Sequence, residues 1–239
     1  MRAEAIKVEN LCKYYRAGDE VAKALDGVSF SLPAGEFCAI IGPSGSGKST
    51  LLNMLAGLEP PTRGTIVVAG RHIEKLSENQ LVAFRRERVG FIFQSYNLLP
   101  TMNAVDNVAL PLVFRGVPPK KRTAMAKKYL KLVGLEDQMY HLGNAMSGGQ
   151  QQRVGIARAL VCEPEIIFAD EPTGNLDSHT SREILELLRS IVRETHRTLI
   201  MVTHDNGIAS FADSRIRIID GKISSIERND GQPTEGEQG

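Results

Sequence analysis

The chain has 239 residues, 42% of them hydrophobic, enough for one large domain, or one domain with an inserted subdomain, that buries most of its surface. Its 29 basic and 28 acidic side chains nearly cancel, which leaves no global field to draw it onto nucleic acid or anionic lipid. Cys12, Cys38 and Cys162 are odd in number and lack zinc spacing, so they read as reduced structural thiols of a cytosolic protein.

Met1 to Asn10 carries Glu4, Lys7 and Glu9 around no apolar centre, so no signal peptide is expected. No apolar run approaches the ~18 residues that span a bilayer, and any work at a membrane should go through a partner. Ile6 and Val8 alternate with charged residues in a short strand, and a second strand covers Gly27 to Phe30. Arg16-Ala17-Gly18-Asp19 supplies turn chemistry between them, giving an antiparallel edge. The apolar run Phe37 to Ile41 leads into Gly42-Pro43-Ser44-Gly45-Ser46-Gly47-Lys48-Ser49-Thr50, and Leu51 to Leu55 follows as a helix. Strands over Gly64 to Gly70 and Val89 to Gln94 should join the same sheet or its edge.

From about residue 95 to 160 the pattern is helical: Pro118-Pro119 precede a helix carrying Met125, Tyr129, Leu132 and Val133, and Gly134 stops it. Ile166 to Ala169 and Leu199 to Val202 read as fully buried strands. Between them Thr180-x-x-Glu183 reads as a capping box before Ile184, Leu187, Leu188, Ile191 and Val192. Strand, helix, strand implies a parallel crossover. Asp220-Gly221 turns a final hairpin between Ile216 and Ile226, and the polar tail 227–239 is expected to be disordered.

The spacing G-x-x-x-x-G-K-S is that of a phosphate cradle. Glycines let successive N–H groups converge on an anion, and the helix that starts near Lys48 adds its positive end. Lys48 is expected on the β and γ phosphates, and the Ser49 hydroxyl on Mg²⁺, a cation that prefers oxygen ligands. Asp170 and Glu171 end the strand Ile166 to Ala169, at the edge where open α/β sheets bind ligands. There Asp170 is the expected magnesium partner of Ser49, and Glu171 the general base or water-positioning group. His204 closes the next strand in the same way and is read as a γ-phosphate sensor. His72, His141, His179 and His196 lie in polar surroundings and are assigned no role. Ser147 can cap a helix whose first residues are Gly148 and Gly149, leaving bare N–H groups beside a helix dipole. Two phosphate-binding helix starts in one chain suggest that two chains share one nucleotide.

With these motifs in place, the chain resembles the ATP-binding subunit of an ABC (ATP-binding cassette) transporter from Ile6 to about Ile226. Gly42 to Thr50 match the Walker A loop, Gln94 the Q-loop, Ser147-Gly148-Gly149-Gln150 the signature, and Ile166 to Asp170 the Walker B strand. Asn175-Leu176-Asp177 match the D-loop, and His204 the switch histidine. Tyr15 matches the aromatic that stacks on adenine, with Tyr14 beside it as the alternative. Met146 departs from the usual leucine before the signature, a change of similar volume. The runs 97–100, 105–112 and 169–177 resemble the subgroup of the exporter MacB, the lipoprotein-releasing LolD and the division protein FtsE.

This resemblance implies an α/β fold across 1–239: a P-loop NTPase, RecA-like core with an antiparallel β edge subdomain and an inserted helical subdomain. It implies ATP and Mg²⁺, with Gln94 as both a catalytic and a metal-side residue. It also implies a homodimer sandwiching two ATP, in which Ser147, Gly148, Gly149, Gln150 and Asp177 of one copy meet Lys48 of the other. The partner implied is an integral membrane permease at the cytoplasmic face of the cell membrane, with no nucleic acid. The apolar run Ser95 to Pro100 is expected to line a groove for a permease helix. A DNA- or ribosome-acting ABC ATPase would need long heptads or two cassettes, and a nucleotide kinase would have no use for the signature.

Overall fold

The computed structural model describes residues 3–18 and 20–229. β1 (Glu4–Ala17) and β2 (Glu20–Pro33) pair antiparallel over 14 residues each, much longer than the two short strands expected. Register shifts at Val8/Leu11, Leu11/Lys13 and Lys13/Tyr14 explain the difference, because each bulge re-aims the side chains and breaks the period-two pattern that marks a strand. Asp19, in the expected turn, lies outside the described residues.

β3 (Phe37–Ile41) is buried throughout and runs into α1 (Lys48–Leu55). β4 (Arg63–Val68) and β5 (Arg71–His72) do not join β3. They extend the hairpin into a separate four-stranded sheet, in the order β2-β1-β4-β5. Burial decides this: Ile66 and Val68 are buried while their neighbours are not, the mark of a one-faced antiparallel strand. α2 (Glu78–Arg88) then leads to β6 (Val89–Phe93).

Three helices follow, α3 (Ala104–Phe114), α4 (Pro119–Leu132) and α5 (Gly148–Leu160), and the chain returns through β7 (Ile166–Asp170). On α4 the buried stripe is Ala126, Tyr129 and Leu130, continued by Val133, while Leu132 faces outward. α6 (Ser178–Thr195) crosses to β8 (Thr198–Thr203). Its cap is Asp177, whose carboxylate accepts from the Thr180 N–H at 3.0 Å and the Thr180 hydroxyl at 2.6 Å. The expected Thr180/Glu183 box is therefore displaced by one turn, and Glu183 pairs with Arg153 at 3.0 Å. α7 (Asn206–Ala209), β9 (Ser214–Ile219) and β10 (Lys222–Arg228) complete the order. β10 occupies the start of the tail expected to be disordered, and residues 230–239 lie outside the described set.

The six-stranded sheet runs β10-β9-β3-β8-β7-β6, parallel except for β10. Its strands sort their side chains by alternation. Phe37, Ala39, Ile41, Leu199 and Met201 meet the helices on one face. Cys38, Ile40, Phe168, Ile200 and Val202 meet α1 and the antiparallel sheet on the other. The loop between β6 and α3 is held by the fully buried Asn107. Its carboxamide accepts from the Leu99 N–H at 2.8 Å and donates to the carbonyls of Leu99, Met102 and Asn103 at 3.1 Å. Asn107→Leu should destabilise the fold by about 2–3 kcal/mol, because the groups it leaves cannot all reach water. Urea unfolding checks this.

Candidate functional site: a phosphate loop and its sheet edge

Gly45 and Gly47 have φ of +78° and +87°, a region that side chains avoid, so the loop between β3 and α1 can fold only with glycine there. At Gly47 a Cβ would sit 2.0 Å from the Ala24 carbonyl oxygen, so β2 closes against the loop from behind. Lys48 is buried, and its ammonium donates to the carbonyls of Gly42 at 2.9 Å and Pro43 at 3.0 Å. An ammonium has three donors, so one remains. Among the described residues no carboxylate lies within ion-pair distance of it. The Ser46 hydroxyl is buried without a hydrogen-bond partner. A spare cationic donor and an orphan hydroxyl in one glycine loop fit a phosphate group.

Ser49 donates to Asp170 Oδ1 at 3.5 Å across the sheet edge. Burial first, and the neighbouring Glu171 second, raise the Asp170 carboxyl above its ordinary value, against the pull of Ser49 and Lys48. Among the described residues no cluster of three His, Cys, Asp or Glu side chains could hold a metal alone. A Ser49/Asp170 pair suits Mg²⁺, which takes few protein ligands and completes its shell with phosphate oxygen and water. Glu171 adopts φ +43°, a strained conformation for a side-chain-bearing residue, held by its N–H on the Val202 carbonyl at 3.0 Å. Its carboxylate meets His204 Nδ1 at 2.9 Å. The two residues therefore touch, which their separate strand-end positions did not reveal.

Gln94, just past β6, donates to Asn175 Oδ1 at 3.3 Å, and Asn175 donates back to the Gln94 carbonyl at 3.1 Å. Ser147 caps α5 as expected, in a box with Gln150: Gln150 N–H to Ser147 Oγ at 3.3 Å, Ser147 N–H to Gln150 Oε1 at 2.9 Å. Ser147, Gly148, Gly149 and Gln150 line a separate pocket of about 340 Å³ with Asn175 and Asp177, and no phosphate-loop residue reaches it. Tyr15 is 41% exposed, whereas the Tyr14 hydroxyl is tied to Asp26 at 2.7 Å and Arg63 at 2.9 Å. Of the two, Tyr15 presents the more open ring, Tyr14 being half-buried.

Two contributors escaped the sequence reading. Gln152 is fully buried on α5 and donates to the Pro172 carbonyl at 2.6 Å and the Phe93 carbonyl at 3.4 Å, tying the ends of β6 and β7 together. Arg158 donates to the carbonyls of Asn97 at 2.5 Å and Tyr96 at 2.7 Å, both in left-handed conformation. Burial lowers the affinity of its guanidinium for a proton. Their partners are backbone carbonyls, which leave no mark in a sequence. Beside Arg158 an apolar groove of about 520 Å³ is lined by Val82, Phe91, Phe93, Pro111 and Phe114. Of the run Ser95 to Pro100, Asn97 reaches this groove, Leu98 packs on the helical core, and Leu99 is exposed outside it.

A strand, glycine loop and helix at the carboxyl edge of a parallel sheet is the architecture of the P-loop nucleoside triphosphatases. The ABC transporter family profile matches residues 25–174. An uncharacterized ABC transporter ATP-binding protein of Thermotoga maritima is 48% identical over 225 residues, covering 94% of this chain and 96% of that protein. The macrolide export ATP-binding/permease protein MacB of Hyphomonas neptunium is 45% identical over 96% of this chain, which spans only 35% of MacB. The ATP-binding cassette MJ0796, solved as a dimer in a post-hydrolysis state bound to ADP and Pi, superposes with a TM-score of 0.85 at 41% identity, covering 93% of this chain and 98% of that one. The chain belongs to the ABC transporter family and is an ATPase of its ATP-binding type.

Gly47→Ala should weaken Mg²⁺-nucleotide binding by about a hundredfold, roughly 3 kcal/mol, since a Cβ meets both a forbidden φ and the β2 backbone. Calorimetry with ADP checks this, with a thermal melt of the same variant.

Proposed function

We propose that this chain is the ATP-hydrolysing subunit of a transporter whose permease is a separate polypeptide, and that two copies close on two ATP molecules to drive it. The observation that carries the reading is the separation of two anion sites on one chain. The phosphate loop with Asp170, Glu171 and His204 lies on the sheet edge, and the α5 N-terminus with Asp177 opens into a pocket of its own. A nucleotide bound by one copy's loop meets complementary N–H groups only when another copy supplies Ser147 to Gln150. A solved relative described as dimeric supports this.

Within each site Gly42 to Thr50 hold the phosphates, with Lys48 as the point charge and Tyr15 stacked on adenine. Bound Mg²⁺, held by Ser49 and Asp170 with Gln94 beside it, would neutralise charge that develops on the phosphate oxygens. Glu171 accepts the proton of the attacking water, and His204, whose Nδ1 meets the Glu171 carboxylate at 2.9 Å, orients it beside the γ-phosphate that His204 senses. Asp177 caps α6 and faces the other copy.

Among the described residues no helix is long and apolar enough to cross a membrane. MacB relatives are described as ATP-binding and permease protein in one chain, which supports a permease partner here. The groove beside Arg158 fits one of its cytoplasmic helices: it is apolar, Phe114 is 71% exposed, and Arg85 and Arg86 line it. On this reading the chain works at the cytoplasmic face of the cell membrane, and the macrolide-export names of its MacB relatives support export, of a substrate that the permease selects.

Glu171→Gln should keep ATP binding and lower turnover by about a hundredfold or more, the scale of a lost general base, so that the ATP-bound dimer accumulates. Light scattering with ATP and Mg²⁺ reads the dimer. A variant that stays monomeric, or turns over near the wild-type rate, removes the role given to Glu171. Phe114→Glu should leave hydrolysis by the isolated subunit intact and abolish capture of the permease, because a desolvated carboxylate would sit in the groove. A pull-down with the copurifying membrane protein, beside an ATPase assay, decides it.

A further inference from the structure

The Tyr15 ring is held from two sides, by Glu59 of a turn that no motif covers and by Lys13 of its own strand. Glu59, in the turn after α1, accepts from the Tyr15 hydroxyl through Oε2 at 2.9 Å and pairs with Lys13 through Oε1 at 2.9 Å. The Lys13 ammonium also donates to the Pro60 carbonyl at 2.8 Å and stands 5.2 Å from the centre of the Tyr15 ring. Both side chains are largely covered, with Lys13 12% and Glu59 26% exposed, so the ion pair is more than a solvated surface contact. Pro60 and Pro61 stiffen the turn. Two further bonds bind it to β1, from the Thr62 N–H to the Cys12 carbonyl at 2.9 Å and from the Tyr14 N–H to the Thr62 hydroxyl at 3.0 Å. The Tyr15 hydroxyl titrates above its ordinary value, through burial first and Glu59 second, against a hydrogen bond from Thr50. It is therefore a donor at neutral pH, as the bond to Glu59 requires.

We propose that Glu59, braced by Lys13, is a positioning residue that presets the Tyr15 ring as a platform for the nucleotide base at a fixed distance from the phosphate loop. This rests on the reading that the base stacks on Tyr15. Lys13 covers one face of the ring, so the base takes the other. The turn that carries Glu59 follows directly from α1, whose first turn holds Lys48, Ser49 and Thr50, so one rigid segment connects the phosphate end of the site to its base end. A ring already held when the nucleotide arrives need not be ordered by it, and the binding free energy keeps that share.

The test compares ADP with inorganic pyrophosphate, both with Mg²⁺, by calorimetry on the full nucleotide-free chain. Glu59→Ala should weaken ADP about three- to tenfold, the scale of immobilising one side chain on binding, and leave pyrophosphate unchanged. Glu59→Gln, whose amide oxygen still accepts from the hydroxyl, should recover affinity to within about twofold of wild type. In a Tyr15→Phe background Glu59→Ala should have no further effect. The inference is overturned by an equal loss for both ligands, by unchanged ADP affinity, by a Gln variant as weak as Ala, or by a full Glu59 effect without the hydroxyl. A wild-type chain that binds ADP no better than pyrophosphate would instead remove the base platform itself, and this inference with it.

Discussion

The parallel ladder that sets Ile41 beside Thr203 and Val202 beside Asp170 brings the reacting groups to one line. β3 delivers the phosphate loop, β7 delivers Asp170 and Glu171, and β8 delivers Thr203 and His204. All three strands end at the same edge because parallel strands share a direction. Register slips in steps of whole residues, about 3.3 Å each, and a one-residue slip also turns every side chain to the wrong face. The 3.5 Å between Ser49 and Asp170, and the 2.9 Å between Glu171 and His204, therefore depend on core packing as much as on the residues themselves. Ile40, Phe168, Ile200 and Val202 on one face and Ala39, Ile167 and Met201 on the other hold that register, each nearly or fully buried.

α5 is the second organising element. Its N-terminus presents Ser147 to Gln150, its middle ties β6 to the loop after β7 through Gln152, and its C-terminal half holds Tyr96 and Asn97 through Arg158. A Cβ on Gly148 would stand 2.8 Å from the Tyr96 hydroxyl, so the loop after Gln94 packs closely on the start of α5. The groove beside Arg158 and the α5 N-terminus are thus linked through one helix and one loop.

Charge at the sheet edge is left incompletely neutralised. Lys48 keeps one donor and an unpaired charge after bonding two backbone carbonyls, Asp170 is partly desolvated beside Glu171, and Glu171 sits in a strained backbone conformation. The first two disfavour the empty site, and an incoming phosphate with its cation would relieve both at once. Binding energy is then available where charge changes during hydrolysis.

The phosphate loop, the strand ending in Asp170 and Glu171, and the Ser147 cap were legible in the chain as written, because each rests on residues within about ten positions of one another whose spacing answers a local demand. A loop that needs φ near +87° at Gly47 must use glycine wherever it folds. The crossover helix α6 was readable from its apolar stripe for the same reason. The rest is set by pairings between distant segments. β1 and β2 lose their alternation at bulges that only the partner strand defines, and β4 goes to a second sheet because of what covers its one apolar face. Asp177 displaces Thr180 as cap through the direction in which the chain enters α6. Phe114 rather than Leu99 reaches the groove because Asn107 folds the loop back on α3. Glu59 meets Tyr15 across 44 residues, a contact between an ordinary turn carboxylate and an ordinary tyrosine that local periodicity cannot encode and the docking of the turn after α1 onto β1 decides.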